Sequence, residues 1–407
     1  MIARHLEKIA FDPKLGRQMI FIGGPRQAGK TTLARGILAK QGSAALYFNW
    51  DLREIRNAFK KDPSFFESAM RDIRSKNRWP WVCFDEIHKM PKWKNILKGV
   101  FDKFETECRF LVTGSARLEW FRKSGDSLAG RYFLFHLNPL SLSEVVGRPH
   151  LEPHPEEKAE EFIERKISSG QPEQSALEQL LGFSGFPEPF LKADEAFYHR
   201  WQREMVDALT KEDIRDLTRI LAVEHVATLM LLMPERVGAP LSLNALKEDL
   251  EISYTAVRNA VKAMELTYAL FFVSPFSKKV ARAVKKERKA YFFDWGLCRD
   301  PAKRFENYVA IELKTLVNLW HDAGSADYDL RYVRTRDGKE SDFLITRNGK
   351  PWCLFEAKLQ DGPVDRHHMD QARILGNVPF VQLTREGNVY KKPGPGILRI
   401  SASRFFS

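Results

Sequence analysis

The chain has 407 residues, 43% of them hydrophobic, and a formal net charge of +12 with a pI near 9.4. That size allows two or three domains with substantial cores, and the basic balance favours an anionic partner, nucleic acid before an acidic membrane. No stretch is long and apolar enough to span a bilayer and no signal-peptide pattern opens the chain. Cys83, Cys108, Cys298 and Cys353 lack C-x-x-C spacing, so a metal-ribbon or disulfide-framework reading gives way to reduced core cysteines of a cytoplasmic protein.

The apolar run Met19-Ile20-Phe21-Ile22 leads into Gly24-Pro25-Arg26-Gln27-Ala28-Gly29-Lys30-Thr31, followed by Thr32. This is G-x-x-x-x-G-K-[ST] between a strand and a helix, the context a P-loop requires. Gly24 and Gly29 let the backbone curl so that its N–H groups point at phosphate oxygens. The helix starting near Lys30 adds its positive end. Lys30 would reach the β- and γ-phosphates of ATP or GTP, and the Thr31 hydroxyl would ligate Mg²⁺. A second apolar run, Trp81-Val82-Cys83-Phe84, ends in Asp85-Glu86. In a Walker B reading, Asp85 holds the Mg²⁺ shell and Glu86 polarises the attacking water. The following Ile87-His88 gives a superficial helicase-box appearance that carries little weight.

Strands are expected at Met19–Ile22, Ala44–Asn49, Trp81–Phe84, Arg109–Thr113 and Tyr132–Leu137, with helix-length segments between most of them. That alternation predicts an open, mainly parallel α/β sheet over residues 1–146 with its ligand at the strand C-termini. Thr113-Gly114-Ser115 closes the fourth strand, where Ser115 would sense the γ-phosphate. Arg131, after Gly130, is either an arginine finger or a loop anchor.

Residues 147–180 are rich in Glu, Pro, Ser and His, and read as a linker or a surface helical insertion. Helical periodicity resumes over 181–240, with Trp201, Met205, Ala208 and Leu209 on one face. Residues 241–298 begin with a helix over Ser242–Leu250 and a tight Glu251-Ile252-Ser253 turn with Ser253 as N-cap. A second helix, Tyr254–Leu266, buries Val257, Ala260, Val261 and Met264. An apolar strand from Ala269 to Val273 follows. The basic stretch Lys278, Lys279, Arg282, Lys285, Lys286, Arg288 and Lys289 then returns through Tyr291-Phe292-Phe293. This order predicts a winged helix whose basic wing faces DNA phosphates. A solvated loop or a protein-binding winged helix fits the same pattern.

Residues 299–407 carry a second chemical candidate. A helix is expected over Arg304–Trp320, with Glu306 in its first turn, then a strand over Asp329–Arg336. Asp342 heads a β-rich run, Asn348-Gly349 makes a turn, and Trp352-Cys353-Leu354-Phe355-Glu356-Ala357-Lys358 follows. This is the PD-(D/E)xK nuclease spacing. Asp342 and Glu356 on adjacent strands would bind one or two Mg²⁺ ions, Lys358 would orient water or steady a phosphate, and Glu306 would complete the metal shell. The same residues could be ordinary strand polars, or belong to a nuclease-like fold kept for binding branched DNA.

The segments Gly-Pro-Arg-Gln-x-Gly-Lys-Thr-Thr, Asp-Glu-Ile-His-Lys-Met-Pro-x-Trp, Thr-Gly-Ser-Ala, Leu-Ala-Gly-Arg and Asn-Pro-Leu-Ser-Leu-Ser-Glu together resemble a widespread prokaryotic group of AAA-type ATPases. Tyr291–Leu297 and Phe305-Glu306-Asn307 resemble that group's C-terminal partner, a domain of unknown function. That partner looks like a winged helix joined to a restriction-endonuclease-like fold, similar to archaeal Holliday-junction resolvases. The resemblance covers most of the chain apart from 147–180. His88 stands where Gln is usual, and Trp295 where a small residue is common. The resemblance implies an α/β chain: a P-loop AAA-type ATPase domain, a helical and winged-helix middle, and a restriction-endonuclease-like α/β domain.

Together these features predict a cytoplasmic Mg²⁺-dependent ATPase that binds and remodels branched or junction DNA, with metal-dependent nuclease chemistry as a second capacity and a homo-oligomer as one form the chain could take. The rival readings are a signalling or defence ATPase whose C-terminal half recognises a protein, and a nuclease gated by its ATPase.

Overall fold

The computed structural model describes residues 2–76, 79–114, 128–210, 223–277 and 287–407. They divide into two compact units, Leu6–Leu137 and the first five residues together with Asn138–Ser407.

In the first unit, five strands form one sheet: β1 (Met19–Gly23), β2 (Tyr47–Asn49), β3 (Trp81–Asp85), β4 (Arg109–Thr113) and β5 (Tyr132–His136). Their order is β2-β3-β4-β1-β5 and every pairing is parallel. Strand β4 therefore lies between β1 and β3. The central strands β1 and β3 are buried along their whole length, as expected of parallel strands covered on both faces. Helices Lys30–Lys40, Arg53–Lys61, Glu67–Ser75 and Trp93–Phe104 follow the strands. An aromatic core fills the space between sheet and helices. Phe66 stands edge-on to Phe84, Phe104 and Phe110 with ring centroids 5.3–6.5 Å apart, a favourable geometry for aromatic pairs. Strand β2 is shorter than expected. Ala44–Leu46 forms a 3₁₀ turn instead, and alanine brings little preference for a pleated strand.

The second unit is built on an eight-stranded sheet. Its strands are β6 (Leu270–Pro275), β7 (Lys289–Phe292), β8 (Tyr328–Arg334), β9 (Glu340–Arg347), β10 (Lys350–Lys358), β11 (Phe380–Thr384), β12 (Tyr390–Gly394) and β13 (Ile397–Ser401). The order is β12-β13-β11-β10-β9-β8-β6-β7. Strand β6 pairs with β8 through Ser274↔Arg331 and Pro275↔Tyr332, so the sheet runs through the boundary expected at 298–299. Helices Leu243–Leu250 and Tyr254–Leu266 precede β6, and the Ser253 hydroxyl caps the second by accepting from the Ala256 N–H at 3.1 Å.

Residues 147–180 are more ordered than their composition suggests. Helices Ala159–Ser169 and Gln174–Phe183 bury Phe162, Ile163, Ile167, Leu177, Leu180 and Leu181. Apolar residues at helical spacing among Glu and Lys give an amphipathic helix rather than a linker.

The long helix Pro301–Asp322 organises this unit. Asp300 caps it by accepting from Ala302 and Lys303 at 2.9 Å, and Pro301 occupies its first turn. This earlier start places Glu306 one turn further into the helix than expected. Buried Asn307 donates to the Phe292 carbonyl at 2.7 Å and accepts from the Phe292 N–H at 2.9 Å, holding β7 in place. Further along, the buried Glu312 carboxyl accepts from the Leu142 N–H at 2.7 Å. Burial raises Glu312 to about 8, against the lowering effects of the Leu142 N–H and the Lys166 ammonium.

This group sets a pH dependence. Between about pH 4.5 and 8 the folded chain keeps a proton on Glu312 that the unfolded chain has lost, so this contribution to stability is complete below that window and fades as pH rises through it. Its limiting slope is about 1.4 kcal/mol per pH unit. Glu312→Gln keeps the acceptor and removes the titration. Urea unfolding of wild type and variant from pH 5 to 8 should show a flatter dependence in the variant; equal slopes would refute the assignment.

Candidate functional sites

The first site forms where β1, β3 and β4 end. Gly24 has φ +148° and Gly29 has φ +99°, backbone conformations that L side chains rarely adopt. A Cβ at Gly24 would stand 2.2 Å from the Leu137 carbonyl oxygen, so the first glycine is required by close backbone packing as well as by the turn. Lys30 is 6% exposed, and its ammonium donates to the Gly24 and Pro25 carbonyls at 2.9 and 2.7 Å. A mobile cation is thus held inside the loop that the sequence assigns to phosphate.

Asp85 is 2% exposed at the end of β3. Its Oδ2 accepts from the Thr31 hydroxyl at 3.0 Å and also from the Tyr47 hydroxyl, while its Oδ1 accepts from the Thr113 hydroxyl. Three hydroxyls from three neighbouring elements thus compensate one buried carboxylate. Thr31 and Asp85, expected as Mg²⁺ ligands, lie in direct contact. A hard cation with oxygen ligands suits this pair, and they would hold Mg²⁺ beside the triphosphate. The bound ion would supply neutralisation of phosphate charge.

Glu86 adopts φ 59°, ψ 25°, and its backbone N–H donates to Thr113 O at 3.0 Å. That left-handed turn separates the directions of two consecutive carboxylates. Burial raises Glu86 to about 7, partly opposed by the Lys30 ammonium. His88 Nε2 lies 3.4 Å from the Glu86 carboxylate. Arg131 makes a two-pronged pair with Asp102, Nε to Oδ1 at 2.8 Å and Nη2 to Oδ2 at 3.2 Å, which is the geometry of a loop anchor. Ser115 lies outside the described residues.

The second site gathers residues from β7, β9, β10 and the Pro301–Asp322 helix. Asp342 and Glu356 interlock across β9 and β10. The Asp342 N–H donates to Glu356 Oε2 at 3.1 Å, and the Ala357 N–H donates to Asp342 Oδ2 at 3.0 Å. Lys358 Nζ stands 2.8 Å from Glu356 Oε1. Burial raises Glu356 to about 8, with the Asp342 charge adding to the shift and Lys358 opposing it. Glu306 accepts from the Tyr291 hydroxyl at 2.8 Å, and burial followed by the Asp342 charge raises it to about 7. The nuclease-pattern residues are therefore neighbours.

Lys289 departs from its expected role. The sequence pattern groups it with the phosphate-facing cations of the wing, yet its side chain has no exposed surface. Its ammonium lies 2.6 Å from Glu340, 3.4 Å from Asp342 and 3.5 Å from Glu306. A buried ammonium requires such partners, which removes Lys289 from the DNA-facing set. Arg288 pairs with Glu265 at 3.1 Å and stacks over Phe272 at 4.0 Å, but stays partly exposed. Lys278, Lys279, Arg282, Lys285 and Lys286 lie outside the described residues.

Sequence reasoning missed Glu340, Tyr291, Tyr47 and the Thr113 hydroxyl. Glu340 carried a readable signal, since positions two apart on a strand share a face and Asp342 follows it by two. Another group absent from the sequence reading is Asp365, His367 and His368, whose ligand atoms all lie within 4.8 Å of one another. His368 Nδ1 is 2.6 Å from the Ser341 hydroxyl, and its Nε2 is 3.8 Å from Glu356.

Comparison with known proteins places these sites in context. Residues 16–146 match a family described as an AAA domain, and residues 174–306 match a domain of unknown function (DUF8612). The chain is 22% identical over 388 residues to the uncharacterised protein Rv2008c of Mycobacterium tuberculosis, covering 91% of this chain and 76% of the relative. Mb2031c of Mycobacterium bovis, also uncharacterised, matches to the same extent. Among solved structures, Aeropyrum pernix Orc1 in complex with DNA is 15% identical, with 75% of this chain and 91% of that chain covered and a TM-score of 0.31. AMPPCP-bound DnaA from Aquifex aeolicus is 14% identical, with 64% and 85% covered and a TM-score of 0.30.

Gly24→Ala tests the cradle. The added methyl meets the Leu137 carbonyl and the backbone must leave its conformation, so affinity for a fluorescent ATP analogue should fall at least about tenfold. The remainder of the unit should still unfold cooperatively. Unchanged affinity would mean that this loop does not bind the phosphates.

Proposed function

We propose that the chain is a Mg²⁺-dependent ATPase whose C-terminal half engages DNA, with branched or junction DNA as the favoured substrate. The observation that carries the ATPase reading is the contact of Thr31, the last residue of the Gly24–Thr31 loop, with Asp85. It joins the two Mg²⁺-ligand candidates of separate motifs by a direct hydrogen bond. In this reading Lys30 moves from its loop carbonyls to the β- and γ-phosphates. Backbone N–H groups of the loop and the start of the Lys30–Lys40 helix hold the remaining phosphate charge. Glu86 orients the attacking water. Ser115 senses the γ-phosphate, and Arg131 anchors its loop through Asp102.

The DNA reading rests on the net charge of +12 and on the helix–turn–helix followed by the β6–β7 pair, read as a winged helix. Lys278, Lys279, Arg282, Lys285, Lys286 and Arg288 form its phosphate-facing set. Asp342, Glu356 and Lys358 have the ligand types and proximity for metal-assisted phosphodiester cleavage, so nuclease activity is included as a second capacity of the same half. Among the described residues no helix is long and apolar enough to cross a membrane.

Glu86→Gln should bind ATP normally while hydrolysis falls by roughly 10²- to 10⁴-fold, the usual contribution of a positioned base. Lys30→Ala should lose binding itself. Single-turnover hydrolysis at wild-type rate in Glu86→Gln would remove Glu86 from the mechanism.

For the C-terminal half, neutralising Lys278, Lys279, Lys285 and Lys286 should weaken binding to four-way and duplex DNA alike. The slope of log affinity against log salt should shrink by about 0.9 per lost phosphate contact. An unchanged slope would favour a protein partner for this half. In the same preparations, Mn²⁺-dependent cleavage that is lost in Asp342→Ala would establish the nuclease; no cleavage in any divalent metal would leave DNA binding alone.

A further inference from the structure

Lys289 sits at the start of β7, at the end of the basic stretch, but contributes nothing to a solvent-facing surface. Its ammonium has three carboxylates within 3.5 Å, from Glu306, Glu340 and Asp342. The fourth carboxylate, Glu356, is paired with Lys358 and accepts from the Asp342 N–H, while Asp342 turns Oδ1 to the Lys289 ammonium and Oδ2 to the Ala357 N–H. The four acids thus fall into two sets that share Asp342. One set encloses an ammonium with no exposed surface. The other is faced by Lys358, whose side chain is 45% exposed, and by the buried His368, whose Nε2 lies 3.8 Å from Glu356.

We infer that Lys289 is a built-in cation occupying the Glu306 side of this site, so that a divalent metal is confined to the Asp342–Glu356 side and Glu306 is not a metal ligand. The inference rests on the metal-binding reading above and narrows it from one or two ions to one. The chemistry is specific. A full ammonium charge buried between carboxylates does what a second divalent ion would do there, offsetting mutual repulsion of Glu306, Glu340 and Asp342. Unlike a free ion, it is tethered through β7. The tether is itself fixed, because Asn307 clamps Phe292 of the same strand in both directions and the Tyr291 hydroxyl donates to Glu306. Lysine cannot accept a hydrogen bond or exchange ligands, so Glu306 and Glu340 hold the ammonium in place. They position Asp342 through it without touching the ion. Lys289 is therefore a positioning residue.

Calcium titration of the nucleotide-free full chain tests this. Ca²⁺ takes oxygen ligands, which disfavours the imidazoles of His367 and His368. Without nucleotide, the Thr31–Asp85 pair lacks the phosphate oxygens that complete its shell. Wild type should bind one Ca²⁺ per chain by calorimetry. Glu356→Gln should weaken that binding roughly tenfold or more, while Glu306→Gln should change it by less than about threefold. Lys289→Met should gain a second Ca²⁺, and saturating Ca²⁺ should raise its thermal midpoint more than that of wild type. Equal losses in Glu306→Gln and Glu356→Gln would overturn the inference, as would a folded Lys289→Met with no added ion. If Lys289→Met alone does not fold, Lys289→Met with Glu340→Gln removes one charge of each sign and gives the same readout. If wild type binds no Ca²⁺, the metal reading fails, and the lysine is then judged separately. A site gained on its removal upholds Lys289 as the cation, and no gain overturns it.

Discussion

A full charge with no access to water must be answered by opposite charge or by hydrogen bonds, and this constraint shapes both candidate sites. Lys289 is the sharpest case. Its ammonium would be untenable in an apolar interior, so the fold must deliver carboxylates to it. They arrive from a helix, through Glu306, and from β9, through Glu340 and Asp342. The requirement fixes where β7 lies relative to β9 and the Pro301–Asp322 helix, and Asn307 secures the arrangement from the backbone side. Structural and chemical roles are thus hard to separate here. Losing the ammonium would leave three acids in mutual repulsion at a place where the chain needs them close.

Asp85 follows the same rule with hydroxyls in place of a counter-ion. Thr31, Tyr47 and Thr113 all donate to it. Neutral donors stabilise the charged carboxylate without cancelling it, so its charge remains available to a cation. A lysine at any of these three positions would satisfy Asp85 more strongly and compete with Mg²⁺ for it. The contrast with Asp342 is instructive, because there an ammonium does approach, 3.4 Å from Oδ1.

Much of this was legible in the sequence. The strands of the first unit are short apolar runs bounded by turn signals, and Lys30, Thr31, Asp85 and Glu86 sit in motifs whose spacing is local. Asp342, Glu356 and Lys358 were readable for the same reason, since a hairpin turn at Asn348-Gly349 sets their register. Partners fixed by sheet order were not. Tyr47 and Thr113 reach Asp85 because β2 and β4 flank β3 in parallel, with Tyr47 opposite Cys83 and Thr113 opposite Asp85. Lateral order in a parallel sheet leaves no mark at fixed sequence spacing. The sequence pattern sets Lys289 among solvated cations because six other basic residues precede it within a short stretch, and such a run normally stays in water. Alternation supplied the contrary signal: Lys289 and Tyr291 point the same way along a strand that otherwise reads Ala-x-Phe.

The same electrostatic logic acts where the chain passes between its two compact units. It enters the Leu6–Leu137 unit after His5 and leaves it before Asn138. On the C-terminal unit's side, both passages are tied to Glu144. Its Oε1 accepts from Arg4 Nε at 3.1 Å and from the His5 N–H at 2.9 Å, while Arg4 Nη2 donates to the Asn138 carbonyl at 2.6 Å. Glu144 Oε2 accepts from the Ser141 N–H at 3.2 Å, completing a capping box. Burial alone would raise this carboxyl, yet the Arg4 and His5 charges hold it below the usual carboxylate range. Glu144 belongs to the Asn-Pro-Leu-Ser-Leu-Ser-Glu segment, and the neighbouring Leu142 N–H is held by Glu312 at the centre of the long helix. That segment follows directly on Leu137, the residue after β5, whose carbonyl limits Gly24. Within the C-terminal unit, Glu144 and Glu312 thus hold this segment from two directions, one through the capping box and the Arg4 and His5 contacts and the other through the Leu142 N–H.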